Sequence, residues 1–181
     1  MKNCGKSFEE DIANSFRSNK ELFVRRLNDN SGAWKGKSDN SNGKVRFTPK
    51  NICDFIIYSN KSNKLLLLEL KSFKGKSYPF SNLKEHQIKS LYVEGKKEGI
   101  ESYIVLNFRD LNKTFCVRAE LIYEFYEKGE RKSFSYEWCK SNGLCISGRL
   151  KKKRWEYDVE SLLHDEWVEI IDINWFKTIE V

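Results

Sequence analysis

The sequence contains two acids and a lysine that could form a catalytic site, namely Asp54, Glu69 and Lys71. Asp54 lies in the stretch 51–58, and Glu69 and Lys71 lie in the stretch 64–73. Both stretches are rich in aliphatic and aromatic residues and lack glycine and proline, which is typical of strands. An antiparallel hairpin of these strands would bring the three side chains to one face.

The register of this hairpin decides whether the two carboxylates meet. The residues between the strands, 59–63, form a polar cluster typical of a turn. A turn centred on Lys61 and Ser62 places Asp54 opposite Glu69, with Cβ atoms roughly 4.5–5.5 Å apart. Like charges so placed destabilise a hairpin, which suggests that the pair holds a positive group. A turn with an odd number of residues would separate the pair.

Two carboxylates with a nearby lysine are suited to phosphodiester hydrolysis assisted by a hard cation. Mg²⁺ is usually held by one or two carboxylates together with water and substrate phosphate. Asp54 and Glu69 supply the carboxylates, and the carbonyl of Leu70 lies between Glu69 and Lys71 in the sequence. Lys71 could orient the attacking water or stabilise developing charge. The alternative is a structural salt bridge in which Lys71 neutralises one acid.

Two further polar residues lie on predicted helices that could approach the same place. Glu9 lies at the edge of the apolar stripe of a helix predicted over 7–19, which starts with a capping box. Spacing alone favours a solvated residue in the first helical turn. Gln87 lies at the edge of the inner face of a helix predicted over 84–97. A buried, hydrogen-bonded glutamine would need no catalytic role.

The order of predicted elements indicates an α/β fold with a mixed central sheet flanked by helices. Strands are expected at 21–27, 51–58, 64–73, 102–108 and 114–118, and helices at 7–19, 84–97 and 119–127. The strands 52–58 and 65–70 are apolar on both faces, so both are expected inside the sheet. We expect one nuclease domain over 1–181, with 28–50 as a basic loop or short stalk and 130–181 as a C-terminal extension.

The basic balance of the chain favours a polyanionic partner such as nucleic acid. The formal net charge is +7, and the sequence pI is near 9.1. Two basic patches contain aromatic residues that could stack on bases. The candidate DNA-binding residues are Lys35, Lys37, Lys44 and Arg46 in the first patch and Lys151, Lys152, Lys153 and Arg154 in the second. Either patch could instead be a solvated charged surface.

The cysteines and the apolar pattern indicate a cytoplasmic protein. Five cysteines occur without a C-x-x-C spacing, and only two histidines accompany them, so we expect reduced thiols and no zinc site. No apolar run approaches the roughly 20 residues of a membrane span. The polar N-terminal sequence does not resemble a signal peptide.

Four ordered motifs bring these residues into one pattern. They are Gly5-Lys6-Ser7-Phe8-Glu9, Cys53-Asp54-Phe55, Glu69-Leu70-Lys71-Ser72, and Ser77-Tyr78-Pro79-Phe80 followed by His86-Gln87-Ile88. The set resembles the RecU-type Holliday junction resolvases, also called the penicillin-binding protein-related factor A family, of the PD-(D/E)xK nuclease superfamily. The resemblance covers about residues 5–126. Cys53 stands where the superfamily pattern has proline, and residues after about 130 match no motif.

The resemblance implies a restriction-endonuclease-like core and a homodimeric endonuclease that depends on Mg²⁺, for which Mn²⁺ can substitute. Such enzymes cut opposed strands of a four-way DNA junction symmetrically in recombination and repair. Their active-site acids and lysine correspond to Glu9, Asp54, Glu69 and Lys71, with the three acids as metal ligands and Gln87 in support. The resemblance therefore reverses the expectation for Glu9 that follows from spacing alone.

Two other functions stay open at this point. The stalk with which the family enters a junction corresponds to the polar segment 28–50, which could be short or different. A restriction-type or nicking nuclease acting on duplex DNA is therefore an alternative, and a requirement for a four-way substrate would distinguish it. A non-catalytic recombination accessory protein is the second alternative, against which the intact set of Asp54, Glu69 and Lys71 argues.

Overall fold

The computed structural model describes residues 4–17, 19–27 and 51–163, and a six-stranded sheet forms its centre. The predicted loop or stalk at 28–50 lies outside these residues. The helices are α1 (Cys4–Phe16), α2 (Glu85–Glu94), α3 (Ala119–Lys128) and α4 (Tyr136–Asn142). The strands are β1 (Leu22–Arg26), β2 (Phe55–Ser59), β3 (Lys64–Phe73), β4 (Ser77–Pro79), β5 (Ile100–Phe108), β6 (Lys113–Arg118), β7 (Ser133–Ser135), β8 (Leu144–Ile146), β9 (Gly148–Lys151) and β10 (Arg154–Tyr157). Short 3₁₀ helices cover Phe80–Asn82, Arg109–Leu111 and Glu160–Leu163.

The central sheet is mixed, as predicted. Its strand order is β1-β2-β3-β5-β6-β8. β3 and β5 run parallel, and the other neighbouring pairs in this sheet run antiparallel. The parallel pair needs a crossover, which passes through β4 and α2. β2 and β3 both lie inside the sheet, which confirms the prediction from their apolar faces.

Helices cover both faces of the sheet. On one face α1 packs Phe8 and Phe16 against the even-numbered leucines of β3. On the other face α2 and α3 pack Ile88 and Ile122 in a core that includes Leu67. Burying one such side chain contributes roughly 1.5–3 kcal/mol. Because β3 is covered on both faces, any polar side chain in its middle is also removed from water.

The register of β2 against β3 is the one predicted from the turn. The ladder pairs Phe55 with Leu68 at one end and Ser59 with Lys64 at the other. In the turn Asn63 adopts φ +53°, a left-handed conformation that asparagine tolerates well. Its Oδ1 accepts a hydrogen bond of 2.7 Å from the hydroxyl of Tyr58. The turn therefore fixes a register that brings Asp54 towards Glu69.

The predicted capping box at the start of the first helix is wrong. α1 begins at Cys4, so Ser7 and Glu10 lie inside the helix. Both side chains contact Arg154, which donates to Ser7 Oγ at 3.3 Å and to Glu10 Oε2 at 2.6 Å. Arg154 also donates to Oδ1 of the buried Asp11 at 3.2 Å. The spacing that resembled a cap is instead a binding surface for this arginine.

The stretch after residue 130 forms elements that the sequence pattern did not reveal. β8 extends the central sheet beside β6. β9 and β10 form a separate antiparallel hairpin. Tyr157 of this hairpin packs edge-on against Phe8 of α1, with ring centroids 5.5 Å apart. Together with the contacts of Arg154, this packing attaches the hairpin to α1. Within the described part of the chain, no helix is long and apolar enough to cross a membrane.

We expect Arg154→Ala to destabilise the protein more than Arg149→Ala, although both remove an arginine from the same hairpin. Loss of Arg154 leaves the buried Asp11 carboxylate without its partner and lowers the free energy of unfolding. Arg149 forms an exposed pair with Glu156, and the loss of such a pair has little effect on stability. Urea denaturation measures both values, and equal losses would contradict the anchoring role of Arg154.

Candidate active site at the end of β2 and β3

Asp54 is fixed by hydrogen bonds at the point where the ladder of β2 and β3 ends. Its N–H donates to the carbonyl of Leu68 at 3.0 Å, and its carbonyl accepts from the N–H of Leu27 at 2.8 Å. Its carboxylate oxygen Oδ2 accepts from the N–H of Leu70 at 2.7 Å. The side chain thus takes the place of a backbone acceptor, which directs the carboxylate towards β3.

Glu69 lies on β3 within the sheet and is only 2% exposed. Lys71 lies two residues further along the same strand face, and its Nζ is 2.5 Å from Glu69 Oε1. Glu69 Oε2 has no hydrogen-bond partner among the described residues. The structural salt bridge between Lys71 and an acid, which was the alternative to a metal site, is therefore present. It satisfies only Oε1 of Glu69 and leaves the Asp54 carboxylate unpaired with Lys71.

The two carboxyl groups disfavour each other's ionisation. Burial, followed by the charge of Glu69, raises the pKa of Asp54 to about 7, against the opposing hydrogen bond from Leu70. Burial also raises the pKa of Glu69, and the charges of Lys71 and Lys84 offset this only in part. Near neutral pH the nearby positive charges therefore do not fully stabilise the two ionised carboxylates. A bound cation would stabilise them.

Cys53, which stands where the superfamily pattern has proline, is buried beside the acid pair. Burial, with the charges of Glu69 and Asp54, raises the pKa of its thiol to about 12. The protonated Sγ donates to the carbonyl of Phe55 at 3.3 Å. A thiol that stays protonated is not a nucleophile.

Glu9 approaches the site from α1 but is held by a partner on β1. Arg26 Nη2 lies 2.5 Å from Glu9 Oε2, and both side chains are half-buried. The charge of Glu9 nonetheless contributes to the raised pKa of Asp54. Glu9 therefore lies at the border of the acid pair, and its predicted role as a metal ligand stays a prediction. Nothing in the spacing of Arg26 pointed to this ion pair.

Gln87 lies on the first turn of α2, beside Glu69. It is 7% exposed, and its amide lowers the pKa of the Glu69 carboxyl group. Its Oε1 has no hydrogen-bond partner within the described ranges. Lys84, which precedes α2 directly, also acts on Glu69, although no sequence pattern assigned it a role. The neighbouring His86 is exposed and no contact places it in the site.

The donor set fits a hard divalent cation. Across residues 4–17, 19–27 and 51–163, no three His, Cys, Asp or Glu side chains are grouped so that they could hold a metal by themselves. Asp54 and Glu69 nevertheless offer two carboxylates, and Glu69 Oε2 is a buried acceptor without a partner in the described structure. Mg²⁺ commonly uses one or two carboxylates and takes its remaining ligands from water and substrate phosphate.

The predicted DNA-binding residues fall into three groups. Lys35, Lys37, Lys44 and Arg46 lie outside the described residues. Lys151 pairs with Glu156 at 2.5 Å, and Arg154 is bound to α1 as described above. Lys152 and Lys153 lie at the exposed tip of the β9–β10 hairpin, and no ion pair to either was found in the described structure. Of the second patch, these two are the cations best placed for an external partner.

We expect the metal-free protein to lose stability as the pH rises towards 7. The pKa of Asp54 rises from its ordinary 3.8 to about 7 on folding, so the folded chain binds more protons between these values. The contribution is complete below pH 3.8 and is lost as the pH passes through 7. Thermal unfolding in EDTA should show this pH dependence weakened in Asp54→Asn. Each kcal/mol corresponds to roughly 2–4 °C in Tm for a chain of this size.

The exposed Asp158 provides the matched control for this measurement. Asp158→Asn removes an aspartate that lies at the surface, outside the acid pair. It should therefore retain the pH dependence of the wild-type Tm across neutral pH. If Asp54→Asn and Asp158→Asn followed the same curve, the raised pKa of Asp54 would be refuted.

Comparison with known proteins extends the resemblance found in the motifs. A sequence model of the RecU family, described as Recombination protein U, matches residues 3–154. The match therefore includes most of the β9–β10 hairpin, which corrects the expectation that residues after about 130 match nothing. A curated protein of Ureaplasma parvum serovar 3 (strain ATCC 700970), named Holliday junction resolvase RecU, is 28% identical over 78 residues.

The alignment with the Ureaplasma protein covers 43% of this chain and 44% of that relative, so the chain matches less than half of its length. The family model covers far more, from the start of α1 to the first residue of β10. It includes both acids of the pair and the lysine beside them. On this match, the chain belongs to the RecU family.

Proposed function

We propose that this chain is an endonuclease that uses Mg²⁺, with Mn²⁺ as a substitute, to resolve four-way DNA junctions in recombination and repair. The observation that carries the proposal is the pairing of Asp54 with Glu69 beside Lys71 at one end of the sheet. Membership of the RecU family supports it, as does the name of the Ureaplasma relative. Symmetric hydrolysis of two opposed phosphodiester bonds is the reaction.

In this proposal Asp54 and Glu69 hold the cation, and Glu9 joins them directly or through water. The cation would supply neutralisation of the phosphate charge and a lower pKa for the attacking water. Lys71 Nζ, now 2.5 Å from Glu69, can also donate to a phosphate oxygen or to that water. Gln87 Oε1 lacks a partner in the described structure and can accept a hydrogen bond from a water molecule.

A homodimer is the assembly that suits the substrate. A four-way junction is nearly two-fold symmetric, and a two-fold dimer presents two equivalent sites to it. We also propose that the chain forms a single nuclease domain and acts in the cytoplasm. The contact of β8 with β6 supports the first point. The five cysteines, all of them in the described residues and none in a disulfide, support the second because a reducing compartment maintains thiols.

The DNA surface is proposed to include the tip of the β9–β10 hairpin and the segment 28–50. Lys152 and Lys153 are exposed at that tip, whereas Arg149 and Lys151 share Glu156. The basic residues of 28–50 would contact the junction in the manner of the family's stalk. These are Lys35, Lys37, Lys44 and Arg46.

Asp54→Asn and Glu69→Gln should each slow cleavage of a labelled immobile junction by about 100-fold or more. Loss of groups that only support a metal ligand already costs roughly 10–100-fold. Lys71→Ala should cost about 100-fold, the size of the effect when a charge-stabilising group is removed from the transition state. Junction binding should persist in all three variants, because the basic surface is unchanged. The comparison is made with Mg²⁺ and with EDTA, on the junction and on a duplex of matched sequence.

Asp158→Asn is the control and should cleave like the wild type. Paired symmetric cuts in the junction alone, lost in EDTA, are the expected result. Equal cutting of the duplex would instead indicate a restriction-type nuclease. Binding without cutting under every condition would indicate an accessory protein, and undiminished cleavage by Asp54→Asn would remove that residue from the site.

Lys152→Ala combined with Lys153→Ala should weaken junction binding and reduce its dependence on salt. Removing one contact to a phosphate reduces the slope of log K against log salt by about 0.9. A fall of up to about 2 is therefore expected for the pair. The measurement is fluorescence anisotropy of a labelled junction over a range of salt concentrations in EDTA.

Lys96→Ala combined with Lys97→Ala is the matched control. These adjacent lysines lie beside the start of β5, at the end of the sheet where β3 begins, and each pairs with a glutamate. Their loss should leave the salt dependence unchanged. A slope that fell equally in both double variants would show that the hairpin tip has no particular role in binding.

A further inference from the structure

The start of α2 is an uncapped helix end that lies at the acid pair. Lys84 is the residue before the ten-residue helix, and no side chain caps the N–H groups of the first turn in the described structure. Such N–H groups and the positive end of the helix dipole attract anions. Gln87 of the same turn lies beside Glu69. The positive helix end therefore lies near Glu69, one of the two acids proposed to hold the cation.

Two buried polar atoms at this helix end lack partners. Gln87 Oε1 and Glu69 Oε2 make no hydrogen bond within the described structure, although both residues are more than nine-tenths buried. Leaving a buried acceptor without a partner is unfavourable. A bound cation or water would satisfy both atoms, and either would accompany a phosphate group. These two acceptors are an observation separate from the uncapped helix end, and they indicate that a cation or a water molecule binds beside it.

Lys84 places a second positive charge at this helix end. It is exposed, and it acts electrostatically on Glu69, yet no ion pair to it was found in the described residues. Glu85, the acidic residue of the first turn, acts on Tyr123 of α3. Lys71 differs, because its Nζ is already bound to Glu69 Oε1. Of the two lysines near Glu69, Lys84 is thus the one for which the described structure shows no ion pair.

We propose that Lys84 and the N–H groups of Glu85 and His86 at the start of α2 bind a phosphate of the DNA strand next to Glu69. The inference rests on the proposed function, since it names the part of the protein that holds the substrate at the same site. Lys84 binds a non-bridging phosphate oxygen as a point charge, and the helix N–H groups donate to the same phosphate. In this arrangement Lys71 contacts the reacting phosphate or the attacking water, and Lys84 is a positioning residue for the DNA strand.

The test compares Lys84→Ala with Lys89→Ala, which removes the same charge from an exposed position one turn further along α2. Binding of a labelled four-way junction is measured in EDTA over a range of salt, and single-turnover cleavage is measured with Mg²⁺. Lys84→Ala should lower the salt slope by about 0.9, one phosphate contact. It should also slow cleavage severalfold, because a misplaced phosphate reacts poorly, whereas Lys89→Ala should match the wild type in both. Lys84→Arg should recover most of the binding.

Each outcome has a definite consequence. A salt slope for Lys84→Ala equal to that of Lys89→Ala would overturn the inference, as would a failure of Lys84→Arg to improve on alanine. Thermal unfolding of the three variants shows whether any loss of binding comes from misfolding. In that case the Tm of Lys84→Arg would fall together with that of Lys84→Ala. Wild-type protein that binds but never cleaves would contradict the proposed function, while the salt slope in EDTA would still decide the role of Lys84.

Discussion

Burial of two neighbouring acids, Asp54 and Glu69, controls the electrostatics of the site. The hairpin register fixes the two residues at the end of one ladder, and helices on both faces of β3 exclude water from Glu69. The fold therefore accepts two neighbouring carboxyl groups with raised pKa values, of which Glu69 is buried and Asp54 partly buried. Buried charges are costly unless they have partners. The simplest explanation is a partner that arrives with the substrate.

The positive side chains around the acid pair do not neutralise both carboxyl groups. Lys71 satisfies one oxygen of Glu69, and Arg26 is occupied by Glu9. Lys84 remains outside any ion pair found in the described structure. The same division appears in the β9–β10 hairpin, where Arg154 serves the attachment to α1. Each cluster of basic residues thus contains some side chains that stabilise the fold and others that are exposed to a binding partner. Only the contacts in the structure distinguish the two kinds.

The hairpin of β2 and β3 could be predicted from sequence because two local signals agree on it. The polar turn sets the register, and apolar residues on both faces require an interior position. The start of α1 could not be predicted, since Ser7 and Glu10 have the spacing of a cap but bind Arg154, 144 residues away from Glu10. The short strands after residue 130 were not predicted, for a related reason. Strands of three or four residues have too little periodicity to recognise and depend on contacts with distant elements.

The metal ligands could be chosen from sequence, but their electrostatic state could not, because burial and partners decide it. The most direct test is calorimetric titration of the protein with Mn²⁺ near pH 7, in two buffers of different ionisation enthalpy. We expect one site per chain, release of protons as the cation binds, and loss of the site in Asp54→Asn and in Glu69→Gln. Binding that persists unchanged in both variants, or that releases no proton, would contradict the assignment of this acid pair as the metal site.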